Sequence, residues 1–273
     1  MNIHTFHKEL DLAGRIQQGL LSFQNQSYEL AGLTIAKQSL AANSIGGDFY
    51  LFGDPKQLPM QADESLPGVV HYGAESDTAI SIVVGDVTGH GIGSALVMAL
   101  CIALFSDIIK HTHNPSEILH LANQKLCALL PTDALYFVTA YVVTFFPRSQ
   151  TIVYSQAGHP PGWLLSKTGG LEPLSCPNSF LGLYADEPFE EACHELSPGD
   201  RIMVYTDGLS EAPKTNGDRL SEAGLCDLFQ QHIHQSLDDT LTAIFDAVKQ
   251  KTTVIPDDQT LVLIESSPPH PQS

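Results

Sequence analysis

The chain has 273 residues, of which 43% are hydrophobic and 16% charged, a balance that fits a compact globular protein and excludes a disordered one. Thirteen basic residues face 31 acidic ones, and the net charge of −18 argues against nucleic acid or anionic membrane as a partner, since both demand a basic face. Five cysteines without a CxxC pair suit reduced thiols, MNIHTFHKEL lacks the charged-then-apolar order of a signal peptide, and the apolar stretch Ala95 to Phe105 is too short for a bilayer, so the expectation is a soluble cytoplasmic protein.

Leu10, Ala13, Ile16, Leu20 and Phe23 recur at helical spacing, so residues 1–25 read as an amphipathic helix. Its stripe would pack on the domain's own core or on a second copy. A strand over Leu30 to Gln38 leads toward Gly46 to Tyr50. Residues 53–77 are rich in Pro, Gly and acidic side chains without a period and read as a flexible insertion. Ala79 to Val84 is a continuous apolar run, hence a buried strand. Ser94 to Ile109 is nearly apolar all round and reads as a core helix, followed by a second helix over Pro115 to Leu130 with Pro in its first turn. Strands are expected over Phe137 to Phe145, Thr151 to Gln156, Gly162 to Leu165 and Arg201 to Tyr205. Helices over Ser221 to His234 and Leu237 to Lys251 precede a last strand, Thr260 to Ile264. Mixed strands and paired helices give one α+β layered domain over residues 26–266, with 267–273 as a disordered tail.

Four short acidic motifs carry the chemistry: Gly46-Gly47-Asp48-Phe49-Tyr50, Val83 to Gly91, Tyr205 to Glu211 and Asp257 to Val262. Each sets an Asp at or beside an apolar run next to a small residue, which is how a strand delivers a carboxylate to an edge cleft. Carboxylates gathered this way repel unless cations sit among them, and hard divalent ions favour all-oxygen ligation. Asp86 directly follows Val83-Val84-Gly85 and lies too far upstream to cap a helix starting near Ser94. Gly89 and Gly91 let the backbone fold tightly beneath it. Asp207 closes the run Met203 to Thr206, with an Asp-Gly hairpin turn as the alternative. Glu211 either orients a water or is a surface residue. Of Asp257 and Asp258, only one can share the inward face of an extended segment. The two glycines before Asp48 permit a positive φ and a close approach of the backbone.

In this order the motifs resemble the SpoIIE/RsbU-type serine phosphatases of the metal-dependent PPM superfamily, and the resemblance runs from about Leu10 to Ile264. It implies a four-layer α-β-β-α sandwich of two antiparallel sheets flanked by helices, with a metal site at one end. It implies two Mn²⁺ or Mg²⁺ ions held by Asp48, Asp86, the Val87 carbonyl, Asp207, Asp257 and Asp258. Asp86 would bridge both ions, Asp207 would bridge or hold the second, and these two form the expected catalytic pair. Asp48 would act partly through water, Asp257 directly, and Asp258 in support. Two cations lower the pKa of a shared water and aim hydroxide at phosphorus, so no protein nucleophile is required. Correspondingly, no P-loop and no CxxxxxR motif is visible. Leu51 stands where the family usually has a further Asp, and Ala41-Ala42 where it has Pro-Ala.

The implied activity is hydrolysis of phosphoserine or phosphothreonine in a protein, with a STAS-type antagonist as the suspected substrate. A degenerate partner-binding module and a phosphohydrolase of small molecules are the alternatives. The family's usual sensory domain joins through a helix such as residues 10–21, which makes a homodimer or regulatory partner there an expectation. His90 falls four residues after Asp86 rather than the two of some relatives, so a loop histidine packing under the site is favoured over a catalytic one. His159 is expected to hold the Gln156 turn by a hydrogen bond. His111, His113, His120, His232 and His234 are expected on helix surfaces and Trp163 in the core.

Overall fold

The computed structural model describes residues 3–21, 28–30, 32–53, 79–131, 136–213, 218–249 and 255–267. The expected insertion and tail lie almost wholly outside these residues, as does Phe23. Twelve strands among them form two sheets. One sheet takes β1 (Tyr28–Leu30), β2 (Leu33–Leu40), β12 (Gln259–Ser266), β11 (Arg201–Tyr205), β7 (Gly162–Leu165) and β8 (Leu171–Leu174), in that order. The other takes β10 (Ala192–Glu195), β6 (Thr151–Ala157), β5 (Val138–Phe146), β4 (Ile80–Val87) and β3 (Phe49–Phe52), with β9 (Pro177–Asn178) added to β6. All pairings are antiparallel except the short β6–β9 pair, a small departure from the expected sheets.

Three apolar clusters make the layers. Ile35, Ile82, Tyr141, Phe145, Ile202 and Val262 fill the space between the sheets. Val83, Val142, Met98, Phe105 and Leu119 join the second sheet to α2 (Ile92–Ile108) and α3 (Pro115–Leu129). Met203, Leu263, Phe229, Ile244 and Phe245 join the first sheet to α5 (Ser221–Gln231) and α6 (Leu237–Lys249). Along β5 the alternation is complete: Val138, Ala140 and Val142 face the helices, while Tyr141, Val143 and Phe145 face the opposite sheet. A strand covered on both faces reads as a continuous apolar run, which is why β4 was legible. Each such buried side chain contributes ~1.5–3 kcal/mol.

The helices start where local chemistry says they should. Asn114 caps α3 by accepting from the Glu117 amide, and Pro115 occupies the first turn. Element ends shift by a few residues from expectation: β2 runs to Leu40, α2 begins at Ile92, α5 ends at Gln231 and β12 reaches Ser266. The Asp-Gly pair at 207–208 opens a short helix, α4 (Asp207–Ser210), rather than a hairpin.

Two expectations need correction. Helix α2 is not fully covered: Leu96 is 67% exposed and Ile92 also open, because α1 (Ile3–Leu20) crosses it without covering that flank. The stripe of α1 does not enter the core either. Ala13, Ile16 and Leu20 are exposed, Ile16 by 59%, while among the residues of α1 whose burial is described Gly14 and Gln17 are the buried ones. The seam is a polar glutamine inside the arc of the stripe and a glycine at its edge, and apolar periodicity marks neither.

Candidate metal centre

The strand ends place the motif carboxylates at one edge of the sandwich. Asp86 is the penultimate residue of β4, in register with Thr139 of β5. Asp207 lies two residues past the end of β11, after Thr206, and Asp257 and Asp258 immediately precede β12, the strand paired with β11. Asp48 immediately precedes β3, which pairs with β4. Neighbouring strands thus deliver the four motifs to one cleft.

Electrostatics show that the groups converge. Burial pushes Asp86 up to about 7, and the charges of Asp207, Asp257 and Asp258 add to the shift, while a hydrogen bond with Asp48 works the other way. Asp207 is raised by burial, then by Asp257 and Glu211. Asp257 is raised by burial, with the charges of Asp258 and Glu211 adding, against a lowering by the Asp258 amide bonded to its Oδ1 and a smaller one by His90. Asp48 is buried and raised well above the usual carboxylate range by desolvation and by Asp86.

The cluster sorts into open and tied carboxylates. Asp258 is buried, and both its oxygens are engaged: Oδ1 accepts from the Ala42 amide at 2.8 Å and Oδ2 from the Gly47 amide at 2.6 Å. Asp257 beside it is exposed. Asp48 Oδ2 accepts from the hydroxyls of Thr206 at 2.8 Å and Thr260 at 2.7 Å. Asp86 is half-buried and Asp207 exposed, both facing the cleft with Asp257. The Val87 carbonyl lies within 2.7 Å of where a Cβ on Gly47 would stand. Among the described residues no three His, Cys, Asp or Glu side chains close around one point as a finished cage.

The glycines before Asp48 act differently from expectation. Neither takes a positive φ. A Cβ on Gly46 would collide with the Asp258 carboxylate, and one on Gly47 with the Val87 carbonyl and Asp86 Oδ1. Close approach, not backbone freedom, is what excludes a side chain there. Gly89 and Gly91 are the reverse: both have φ near +89° or +88° with open space around them.

Five histidine readings change. His90 is exposed at the mouth, where its charge reaches Asp257, rather than packed beneath the site. His113 is not on a helix; its Nδ1 lies 3.0 Å from the buried Ser81 hydroxyl, and burial lowers its pKa. His111, His232 and His234 also fall outside helices, His232 just past the end of α5. His159 behaves as expected: it is buried, its carbonyl accepts from Gln156 Nε2 at 2.9 Å, and its Nδ1 lies 2.8 Å from Thr139 Oγ1. Glu211 is exposed and paired with Arg219 at 2.7 Å. Trp163 is partly buried, packed against the cluster around Met203 and Tyr205. Sequence reasoning missed Thr206 and Thr260, although both lie inside the motifs, and Gln17, which lies outside them.

Two face-to-face sheets flanked by helix pairs, with carboxylates gathered at one edge, define a PP2C-type phosphatase fold. The fold matches the SiaA-PP2C domain of Pseudomonas aeruginosa with a TM-score of 0.76, at 20% identity, over 96% of this chain and 97% of that one. It also matches the catalytic domain of the serine threonine protein phosphatase PstP in complex with 2 manganese ions, with a TM-score of 0.61 at 13% identity, over 86% and 99%. Residues 76–267 match the family described as Stage II sporulation protein E (SpoIIE), and the chain belongs to that family. It is 26% identical over 258 residues to the phosphoserine phosphatase RsbU of Bacillus subtilis (strain 168), covering 94% of this chain and 69% of that protein. It is 25% identical over 262 residues to the phosphoserine phosphatase RsbP of the same organism, covering 94% of this chain but only 58% of that protein.

Proposed function

We propose that this chain is a divalent-metal-dependent protein serine/threonine phosphatase that hydrolyses phosphoserine or phosphothreonine. The observation that carries the reading is the convergence of Asp86, Asp207 and Asp257 at one edge of the sandwich, where the charges of Asp207 and Asp257 add to the burial that raises Asp86, and Asp257 adds to the burial that raises Asp207. All-oxygen donors of this kind suit Mn²⁺ or Mg²⁺ and not a soft metal. Asp86, Asp207, Asp257 and the Val87 carbonyl would hold two such ions, Asp48 would act through water, and Asp258 would hold the loop. When bound, the ions supply an acidic water for attack on phosphorus and positive charge against the phosphoryl oxygens.

The chain's own residues do the rest. Thr206 and Thr260 fix the orientation of Asp48. Asp258 pins the backbone at Ala42 and Gly47, so that Gly47 stays against Val87. His90 at the mouth is placed to meet an incoming phosphate. The likeness to RsbU and RsbP supports a phosphorylated signalling protein as substrate, with a STAS-type antagonist as the specific proposal. The cytoplasm is the matching compartment; among the described residues no helix is long and apolar enough to cross a membrane.

The exposed stripe of α1, together with Ile92 and Leu96 of α2, is proposed as the contact for a second copy or regulatory partner. Ile16→Glu should then shift the protein toward monomer in sedimentation; an unchanged state would make the stripe plain scaffolding.

The deciding experiment is hydrolysis of a chromogenic phosphate ester with and without Mn²⁺, followed by phosphoserine proteins. Mn²⁺-dependent turnover of both supports the proposal. Turnover of the ester alone would favour a small-molecule substrate, and no turnover despite Mn²⁺ binding would mark a partner-binding module.

A further inference from the structure

Gln17 lies within the arc of α1 that carries Leu10, Ala13 and Leu20, lining the same cavity as they do, and unlike Ala13 and Leu20 it is buried. Its side-chain amide closes two hydrogen bonds on a single residue: Nε2 donates to the Gly46 carbonyl at 2.6 Å, and Oε1 accepts from the Gly46 amide at 2.9 Å. The side chain thereby satisfies both backbone groups of a loop residue, as a neighbouring strand would. One turn earlier, Gly14 lies flat against the same loop, where an added Cβ would strike the Ser44 carbonyl oxygen.

The far side of that loop meets the carboxylates. Gly46 packs on the Asp258 side chain so closely that a Cβ would collide with it. Gly47 gives its amide to Asp258 Oδ2, and the position of its missing Cβ lies 2.7 Å from the Val87 carbonyl and 3.1 Å from Asp86 Oδ1. Asp48 follows directly. A loop held on one side by Gln17 thus sets the spacing of Asp48, Asp86, Val87 and Asp258 on the other.

We propose that Gln17 is a positioning residue for the metal centre: its two bonds to Gly46 hold the loop at the depth that the cations require. The inference rests on the metal-dependent reading above and assigns to it a residue outside the four acidic motifs. It acts through the backbone, so its loss should weaken metal binding before it slows a fully loaded enzyme.

The test is calorimetric titration of Mn²⁺ into the metal-free full chain, alongside the Mn²⁺ dependence of ester hydrolysis. Gln17→Ala should weaken Mn²⁺ binding about ten-fold, equivalent to ~1.4 kcal/mol. Its kcat at saturating Mn²⁺ should remain within about two-fold of wild type, the pattern of a lost pre-organising contact. Gly14→Ala leaves Gln17 in place but pushes the helix off Ser44. It should weaken Mn²⁺ binding in the same direction, even though alanine favours the helix itself. Gln18→Ala, exposed on the same helix, should bind Mn²⁺ as wild type does. Wild-type Mn²⁺ affinity in Gln17→Ala would overturn the proposal, as would a fall in kcat at saturating Mn²⁺ with unchanged affinity. Should Gln17→Ala fail to fold, Gly14→Ala decides alone: wild-type affinity there overturns the proposal. A wild-type chain that binds Mn²⁺ but hydrolyses nothing would sink the phosphatase reading, while the affinity comparison would still decide the role of Gln17.

Discussion

Gly47 donates its amide to Asp258 Oδ2 at 2.6 Å across 211 positions of sequence, joining the loop before β3 to the segment before β12. The bond separates two adjacent carboxylates that look alike in sequence. Asp258 is spent on backbone amides at Ala42 and Gly47, whereas exposed Asp257 accepts only the neighbouring Asp258 amide, on Oδ1 at 2.9 Å, among the hydrogen bonds described and lies close enough to Asp207 to raise it. Backbone amides donating to a buried carboxylate contribute about 1.5–3 kcal/mol each at the charged end of the hydrogen-bond range.

The two aspartates should therefore fail differently. Asp257→Asn is expected to lower activity at limiting Mn²⁺ while leaving the melting temperature of the metal-free protein unchanged or raised, since it removes a repelled charge. Asp258→Asn keeps an acceptor for one amide but leaves the other facing an NH₂ group, so it should lower the melting temperature as well. Calorimetry on both variants checks this; a destabilised Asp257→Asn with an unaffected Asp258→Asn would reverse the assignment.

Removing the ligating charge at the centre should be decisive for catalysis. Asp86→Asn and Asp207→Asn are each expected to lose at least about 100-fold in kcat, the scale on which loss of a preorganised charge-stabilising group acts. The metal-free Asp86→Asn protein should be at least as stable as wild type at neutral pH, because burial and three neighbouring carboxylates disfavour the charge that it deletes. Chelation by EDTA should abolish wild-type turnover, and Mn²⁺ should restore it. Turnover surviving thorough chelation would refute the two-ion arrangement.

Much of this was legible in the chain. β4 and β5 announced themselves because burial on both faces demands unbroken apolar runs, and the four motif aspartates sit at strand ends where the turn residues put them. β8, β9 and β10 were missed because two- to four-residue strands with exposed members such as Glu172 and Pro173 have no alternation to read. Gln17 was missed for a sharper reason. It is a polar residue buried by pairing with a backbone, so its partner cannot be seen until the loop at Gly46 is placed beside it. Thr206 and Thr260 stood within motifs already singled out, but hydroxyl donors to Asp48 leave no periodic trace.

His159 gives the pH dependence of stability a defined sign. Burial lowers its pKa from 6.5 to about 3, so the folded state binds fewer protons than the unfolded state between those values. Its stabilising contribution is fully present above pH 6.5 and is lost as pH falls through that window toward 3. His159→Gln removes this titration while leaving the site carboxylates to titrate alike in both proteins. The stability difference between wild type and His159→Gln should therefore shrink progressively on acidification from pH 7 to pH 4. Chemical denaturation of the metal-free proteins at several pH values tests this; a constant difference would mean that His159 titrates alike in the folded and unfolded chains.

Thr206 and Thr260 offer a graded test of the support beneath Asp48. Both hydroxyls are buried and donate to the same oxygen, Asp48 Oδ2. Thr260 Oγ1 also lies 2.8 Å from Ser39 Oγ; having given its single proton to Asp48, it can only accept there. Thr206 Oγ1 does a second job by accepting from the Thr260 amide at 2.9 Å. Valine matches threonine in shape, so substitution removes hydrogen bonds with little change in packing. Thr260→Val should cost about 0.5–1.5 kcal/mol, the net worth of one hydrogen bond, since Thr206 still donates to Asp48 Oδ2. Thr206→Val should cost more, because it also strands the Thr260 amide. Both should raise the Mn²⁺ concentration needed for half-maximal hydrolysis, since each bond favours the ionised form of Asp48 that a cation requires. Equal stability in the two variants, or a larger loss in Thr260→Val, would show that the Thr206 oxygen does not hold the Thr260 amide in the way that its geometry indicates.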